Sequence, residues 1–137
     1  MAGYVLDASV FIAAHVPSEK HHLAARALMK RAPEDVPFLV PAIFELEVVA
    51  ALARRGARLH QIASVEVALQ TGRYVPVAID ATVLTTAVDV AKKAALRAYD
   101  SVYAAVAIQN EAALLTIDVE FVERFHGSFP HVEVITV

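Results

Sequence analysis

The segment AYDSVYAAVAI, residues 98–108, predicts a helix that lies largely inside the protein, because its small and apolar residues leave no polar face. One carboxylate, that of Asp100, stands near the front of this helix. Aspartate is rarely buried unless it is paired or bound to a cation. We therefore expect other charged groups, or a bound cation, close to Asp100.

Short β-prone segments alternate with helical segments on both sides of this helix. The alternation predicts an α/β fold with a mainly parallel sheet and helices on both of its faces. No repeat or linker interrupts the pattern, so we expect a single domain over residues 1–137. We predict strands at 3–6, 38–40, 74–77, 113–117 and 132–137, and helices at 8–15, 19–31, 41–55, 59–70, 81–95, 99–111 and 119–125. Ser18 and Asp80 are predicted N-caps, and Pro41 is predicted to begin the third helix.

The composition excludes several kinds of site. The chain has no cysteine, which excludes disulfides, thiolate catalysis and zinc sites with cysteine ligands. Its six histidines follow no metal-ligand spacing. A formal net charge of −3 argues against a basic coat for nucleic acid, although carboxylates gathered around cations would still let a phosphate approach.

The hydropathy of the chain bears on its surroundings. A mean hydropathy of +0.53 implies more apolar surface than one small core requires, which favours an oligomer. No segment approaches the roughly 18 apolar residues of a membrane span, and the start of the chain lacks the basic region of a signal peptide. We therefore expect a cytoplasmic protein that does not enter membranes.

Two acids follow predicted buried strands. Asp7 comes after the first strand and Asp118 after the segment 113–117. Ligands of α/β sheets bind beyond the carboxyl ends of the strands. Helices that pack over the same edge can add Asp100 and an acid from the third helix, so we expect four carboxylates in one cleft.

The third helix carries two acids, Glu45 and Glu47. Glu45 shares a helical face with the apolar residues Val48, Val49 and Leu52, whereas Glu47 lies nearer the opposite side. This pattern favours Glu45 as the acid that faces inward.

Four carboxylates in one cleft repel one another unless a positive charge lies among them. No lysine or arginine stands in the immediate motifs of Asp7, Glu45 or Asp118. Mg²⁺ or Mn²⁺ is the natural counter-charge, because hard cations prefer oxygen ligands. The chemistry that follows is metal-assisted hydrolysis of a phosphodiester bond.

Four segments together resemble the acidic motifs of PIN-domain ribonucleases, and in particular the toxin subunit of VapBC toxin-antitoxin pairs. They are VLDAS at 5–9, Pro41 followed by Glu45-Leu46, YDSVYAAVA at 99–107 and LTID at 115–118. The segments follow the family's order, and the resemblance spans residue 5 to about residue 125.

This resemblance implies a fold, a site and partners. The fold would be a three-layer α/β/α PIN domain with a parallel sheet of four or five strands, usually found as a homodimer. Asp7, Glu45, Asp100 and Asp118 would bind Mg²⁺ or Mn²⁺, and Ser9 and Thr116 would support a carboxylate or a water. The substrate would be RNA, and a VapB-type antitoxin would insert into the active-site groove.

Other interpretations of these residues stay open. Asp7, Asp100 and Asp118 could simply cap the helices that follow them, and Glu45 could pair with an arginine or reach solvent. Tyr99 and Tyr103 could stack on bases or pack in the core. The basic residues near the ends of the third and fifth helices could bind RNA phosphates or complement the helix dipole; they are Arg54, Arg55, Arg58, Lys92, Lys93 and Arg97.

Two other functions also fit the sequence. The chain could be a non-catalytic PIN-like domain that binds or scaffolds a partner, or a PIN nuclease of RNA processing outside a toxin-antitoxin pair. A haloacid-dehalogenase phosphatase is excluded because Ser9 occupies the position of its second aspartate. A P-loop NTPase is excluded because four scattered glycines cannot form a phosphate-binding loop.

Overall fold

The computed structural model describes residues 3–137 and confirms the predicted α/β architecture. Five strands form one sheet, and helices flank it. The strands are β1 (Tyr4–Leu6), β2 (Phe38–Pro41), β3 (Tyr74–Val77), β4 (Ala113–Leu115) and β5 (Val134–Ile135). The helices are α1 (Ala8–His15), α2 (His22–Met29), α3 (Phe44–Arg54), α4 (Leu59–Leu69), α5 (Ala81–Ala94), α6 (Ala98–Gln109) and α7 (Val119–Ser128).

The strand order places the ends of β1 and β4 next to each other. The order is β3-β2-β1-β4-β5, and every neighbouring pair is parallel. From β1 the chain builds the sheet first toward β2 and β3, and later on the opposite side with β4 and β5. The connections therefore diverge between β1 and β4, and parallel sheets form ligand-binding crevices at such a point.

Helix α6, the segment that the sequence marks as apolar, packs against β1, β2 and β4. Its residues 101–107 are all buried, and most of them are small. Small side chains allow a helix to approach the sheet closely while the core stays densely packed. Within residues 3–137, none of the helices combines the length and the apolar character that a bilayer span requires.

Several predicted boundaries are wrong in detail. Residues 17–21 form turns, so α2 begins at His22 and Ser18 does not cap it. Pro41 is the last residue of β2 and not the first of α3, because pairing with β3 continues through the Ala42 N–H, which donates to the Val77 carbonyl at 2.8 Å. The predicted cap of α5 is confirmed, since Asp80 accepts a hydrogen bond from the Val83 N–H at 2.9 Å.

Candidate functional site

A cleft of about 410 Å³ opens where β1 and β4 end. Five carboxylates line it. Glu19 pairs with Arg55 at the rim, and the other four come from four different parts of the chain: Asp7, Glu47, Asp100 and Asp118. Basic side chains line the same cleft, namely those of Lys20, His21, Arg55 and Arg97. The sheet topology and the packing of α3 and α6 therefore bring these acids together across more than a hundred residues of sequence.

Asp7 is the deepest of the four carboxylates. It follows β1, its side chain is only 7% exposed, and Oδ2 accepts hydrogen bonds from Ser9 Oγ and Thr116 Oγ1, both at 2.7 Å. Burial raises the pKa of the Asp7 carboxyl, and the two hydroxyl donors oppose that rise. Ser9 and Thr116, the two hydroxyl residues to which the resemblance to PIN-domain ribonucleases gives a supporting role, both hold the same oxygen of Asp7.

Arg97 supplies a counter-charge to two carboxylates of the cleft. Its guanidinium donates to Asp100 Oδ2 at 3.3 Å and to Asp118 Oδ2 at 3.2 Å. Ala95, in the left-handed region with φ 54°, ends α5, so Arg97 stands at the N-cap of α6 and not at the end of a longer fifth helix. The spacing of Arg97 and Asp100, three residues apart at a helix start, is the sequence signal for this pair.

The pKa of the Asp100 carboxyl lies above its ordinary value. Burial is the main cause, the negative charge of Asp7 adds to it, and Arg97 opposes it. Asp118 stands at the N-cap of α7, where its Oδ1 accepts from the Phe121 N–H at 3.1 Å. Asp118 therefore caps a helix and also lines the cleft, so the two interpretations of this residue are compatible.

Glu47 is the acid that α3 contributes. It accepts a hydrogen bond at Oε1 from the Tyr103 hydroxyl at 2.7 Å. Burial raises the pKa of the Glu47 carboxyl; the Tyr103 hydrogen bond opposes the rise, and the charges of Asp7 and Asp100 add to it. Tyr103 itself is buried, while Tyr99 is 56% exposed.

The structure does not bring Glu45 into the cleft, so its predicted inward position is wrong. Glu45 is exposed and accepts a hydrogen bond from Gln70 Nε2 at 3.3 Å, on the side of α3 that faces the end of α4. The buried stripe of α3 consists of Phe44, Val48 and Leu52, and the two glutamates lie on opposite sides of that stripe. Helical periodicity finds the stripe but not the side on which the cleft lies.

The sequence profile of the PIN domain family matches residues 4–124, which is most of the chain. The protein belongs to the PIN domain family. The resemblance noted from the four motifs is thereby confirmed at the level of the family. A comparison with curated protein sequences finds no significant match.

Solved structures similar to this PIN domain include toxins of toxin-antitoxin pairs. VapC20 of Mycobacterium tuberculosis, described as a toxin that cleaves the sarcin-ricin loop, is 17% identical, with a TM-score of 0.73 over 88% of this chain and 94% of the toxin. A toxin-antitoxin complex from Klebsiella pneumoniae is 18% identical, with a TM-score of 0.73 over 98% and 96% of the two chains. FitAcB of Neisseria gonorrhoeae is 19% identical, with a TM-score of 0.70 over 96% of each chain. At these identities the likeness establishes the fold.

The side chains of this PIN domain suit a divalent cation by their chemistry. Carboxylate oxygens in a half-buried cleft are the donors that Mg²⁺ and Mn²⁺ prefer. As the side chains stand, however, no three His, Asp or Glu residues within 3–137 are arranged as metal ligands. Arg97 contacts two of the carboxylates, so a cation shared by Asp100 and Asp118 requires this guanidinium to move.

Proposed function

We propose that this PIN domain is a metal-dependent endoribonuclease of the VapC toxin type, which hydrolyses phosphodiester bonds in RNA. The observation that carries the proposal is the cleft at the ends of β1 and β4, where Asp7, Glu47, Asp100 and Asp118 share one space. Membership of the PIN domain family and the toxins among the similar folds support the same function.

The four carboxylates would hold Mg²⁺ or Mn²⁺ directly or through water. When bound, the cation supplies a nucleophilic water at neutral pH and positive charge for the leaving oxygen. Ser9 and Thr116 keep the deepest carboxylate, that of Asp7, in one orientation. Because Asp7 is also buried, its carboxylate would offer a cation an oxygen ligand that is largely shielded from solvent.

The basic side chains around the cleft would bind the phosphate groups of RNA. Lys20 and His21 precede α2, and Arg55 follows α3, so these basic groups reach the cleft from elements other than α6. Arg55 also pairs with Glu19 at 2.9 Å, which holds these two segments together. Three of the twelve lysine and arginine residues, Lys20, Arg55 and Arg97, line the cleft, so a phosphate would meet positive charge there although the whole chain has a net charge of −3.

We also propose an antitoxin as the partner and a homodimer as the assembly. The similar folds include toxin-antitoxin complexes, which supports the first part. Exposed apolar side chains such as Leu59 and Val67 on α4 and Val88 on α5 provide surface for protein contacts. A gene for a small antitoxin directly upstream separates a toxin from a PIN nuclease of RNA processing, and light scattering at several concentrations tests the dimer.

The test of the activity is cleavage of single-stranded and structured RNA in Mn²⁺, in Mg²⁺ and in EDTA. We expect cleavage by the wild type with either metal, and loss of cleavage in EDTA and in the variants Asp7→Asn and Asp100→Asn. Equal cleavage by the three proteins, or cleavage that EDTA does not diminish, would show that the cleft is not a metal-dependent nuclease site. A wild type that binds RNA without cutting it would favour the non-catalytic alternative.

A further inference from the structure

Among residues 3–137, Tyr103 is the largest fully buried side chain, with 1% of its surface exposed. It lies on α6 in a run of buried residues that are otherwise small or apolar. Its hydroxyl donates to Glu47 Oε1 at 2.7 Å, a contact between residues that are 56 positions apart. A polar atom inside the core is thus directed at one carboxylate of the cleft.

The chemistry of the two groups fixes the direction of this hydrogen bond. A carboxylate only accepts, whereas a phenol can donate its one O–H, so Tyr103 is the donor and Glu47 Oε1 the acceptor. The bond joins α6 in the core to α3 at the cleft.

Two of the four acids proposed to hold a cation, Asp100 and Asp118, share the charged guanidinium of Arg97. The other two are held by uncharged hydroxyl groups: Ser9 and Thr116 hold Asp7, and Tyr103 holds Glu47 from within the core. Groups that orient metal ligands in this way contribute to metal affinity, because an oriented ligand loses less freedom on binding.

We propose that Tyr103 is a positioning residue for Glu47, holding Oε1 of the carboxylate so that Oε2 is left for the divalent cation. The inference rests on the proposed metal-dependent function and adds to it a residue of the core that touches neither metal nor RNA. Phenylalanine would fill the same core position without the hydroxyl, so the contribution of the hydrogen bond can be measured separately from packing.

The experiment is a Mn²⁺ titration by calorimetry on the wild type, Tyr103→Phe, Glu47→Gln and the double variant. We expect Tyr103→Phe to weaken Mn²⁺ binding by about 10- to 100-fold, as for other groups that orient metal ligands. In the Glu47→Gln background the same change should weaken binding less than about twofold, because Tyr103 acts through Glu47. Tyr74→Phe is the matched control, since Tyr74 lies on β3 outside the cleft.

Three outcomes would overturn the inference. Equal Mn²⁺ affinity of Tyr103→Phe and wild type would do so, and so would an equal loss in both backgrounds, which indicates a general effect on packing. A fall in Tm in EDTA beyond that of Tyr74→Phe, with unchanged Mn²⁺ affinity, would assign Tyr103 a role in stability alone. A wild type that binds no Mn²⁺ would overturn the proposed function as well, whereas the other results leave that function standing.

Discussion

Glu45 and Glu47 lie two residues apart on α3, yet they face different parts of the molecule. Glu47 lines the cleft with Asp7, and Glu45 lies against Gln70 at the end of α4. The two side chains are identical and lie on the same helix. They differ only in position, so one can serve as the control for a substitution of the other.

We expect Glu47→Gln to reduce RNA cleavage by about 100-fold or more, because it removes a charged donor from the cleft while keeping the size of the side chain. Glu45→Gln is the control and should stay within about threefold of wild type, since Glu45 is exposed outside the cleft. Initial rates in saturating Mn²⁺ measure both. The reverse order of the two effects would contradict the assignment of Glu47.

Arg97 lies where a bound cation would need the same carboxylates. Its guanidinium neutralises Asp100 and Asp118, so it competes with a cation for the same carboxylates. The side chain is 81% exposed, and ion pairs of exposed groups are weak. We expect Arg97→Gln to tighten Mn²⁺ binding in a calorimetric titration by about two- to tenfold.

The control for this titration is Arg26→Gln, which removes the same charge from an exposed position on α2. An unchanged Mn²⁺ affinity of Arg97→Gln would mean that the guanidinium does not compete with the cation. A weaker affinity would assign Arg97 a supporting role at the metal site.

Helix α7 begins at a residue with two roles, one in the helix and one in the cleft. Asp118 caps the helix through the Phe121 N–H and also lines the cleft. Asparagine caps helices about as well as aspartate but carries no charge. Alanine neither caps a helix nor carries a charge. Substitution at this one position can therefore separate the stability of α7 from the chemistry of the cleft.

We expect Asp118→Asn to keep the free energy of unfolding in EDTA within about 0.5 kcal/mol of wild type, because the cap is retained. Asp118→Ala should lose about 1 kcal/mol, as is typical for a lost N-cap. Both variants should cleave RNA poorly. Urea denaturation and cleavage rates measure the two effects, and equal stability of the two variants would show that the cap contributes little to α7.

In the absence of a cation, the charged carboxylates of the cleft lower the stability of the whole folded protein. Burial raises the pKa of Asp7, Glu47 and Asp100 in the folded chain. Between the unfolded and the folded pKa values the folded chain binds more protons than the unfolded chain. The free energy of unfolding should therefore fall as pH rises through the folded pKa values.

We expect Tm in EDTA to be higher at about pH 5.5 than at about pH 7.5, a range above the ordinary pKa of carboxyl groups. Asp7→Asn should remove part of this dependence and raise Tm at the higher pH by about 3–6 °C, as roughly 1 kcal/mol does in a domain of this size. Asp89→Asn, on the exposed surface of α5, is the control. A Tm that rises with pH in EDTA, or a lower Tm of Asp7→Asn, would contradict this assignment.

Saturating Mn²⁺ should reverse the trend, because metal and protons compete for the same carboxylates. The increase in Tm caused by Mn²⁺ should grow as pH rises. Differential scanning fluorimetry over this pH range measures the increase in Tm with Mn²⁺ and with Ca²⁺. An equal increase in Tm with Ca²⁺ would indicate general screening of charge.

The sequence alone determined the order of strands and helices, and with it the α/β fold. The spacing of apolar residues within a short segment indicates which side chains are buried. This local signal was enough to predict β1, β2, β3 and most helix ends. The same local signals placed Asp7, Asp100 and Asp118 at the ends or starts of elements that a parallel sheet gathers at one edge. The predicted start of α3 was wrong because a distant contact decided it: the strand that ends at Pro41 pairs with β3.

Only the tertiary structure decided which acid of α3 joins the cleft and what surrounds the carboxylates. Periodicity locates the buried stripe of α3, but Glu45 and Glu47 lie on opposite sides of it, and the packing of α4 and α6 determines which side is the cleft. The contacts of Tyr103 with Glu47 and of Arg97 with Asp118 join residues far apart in sequence. Such contacts leave no trace in local composition, because they depend on the relative placement of whole elements.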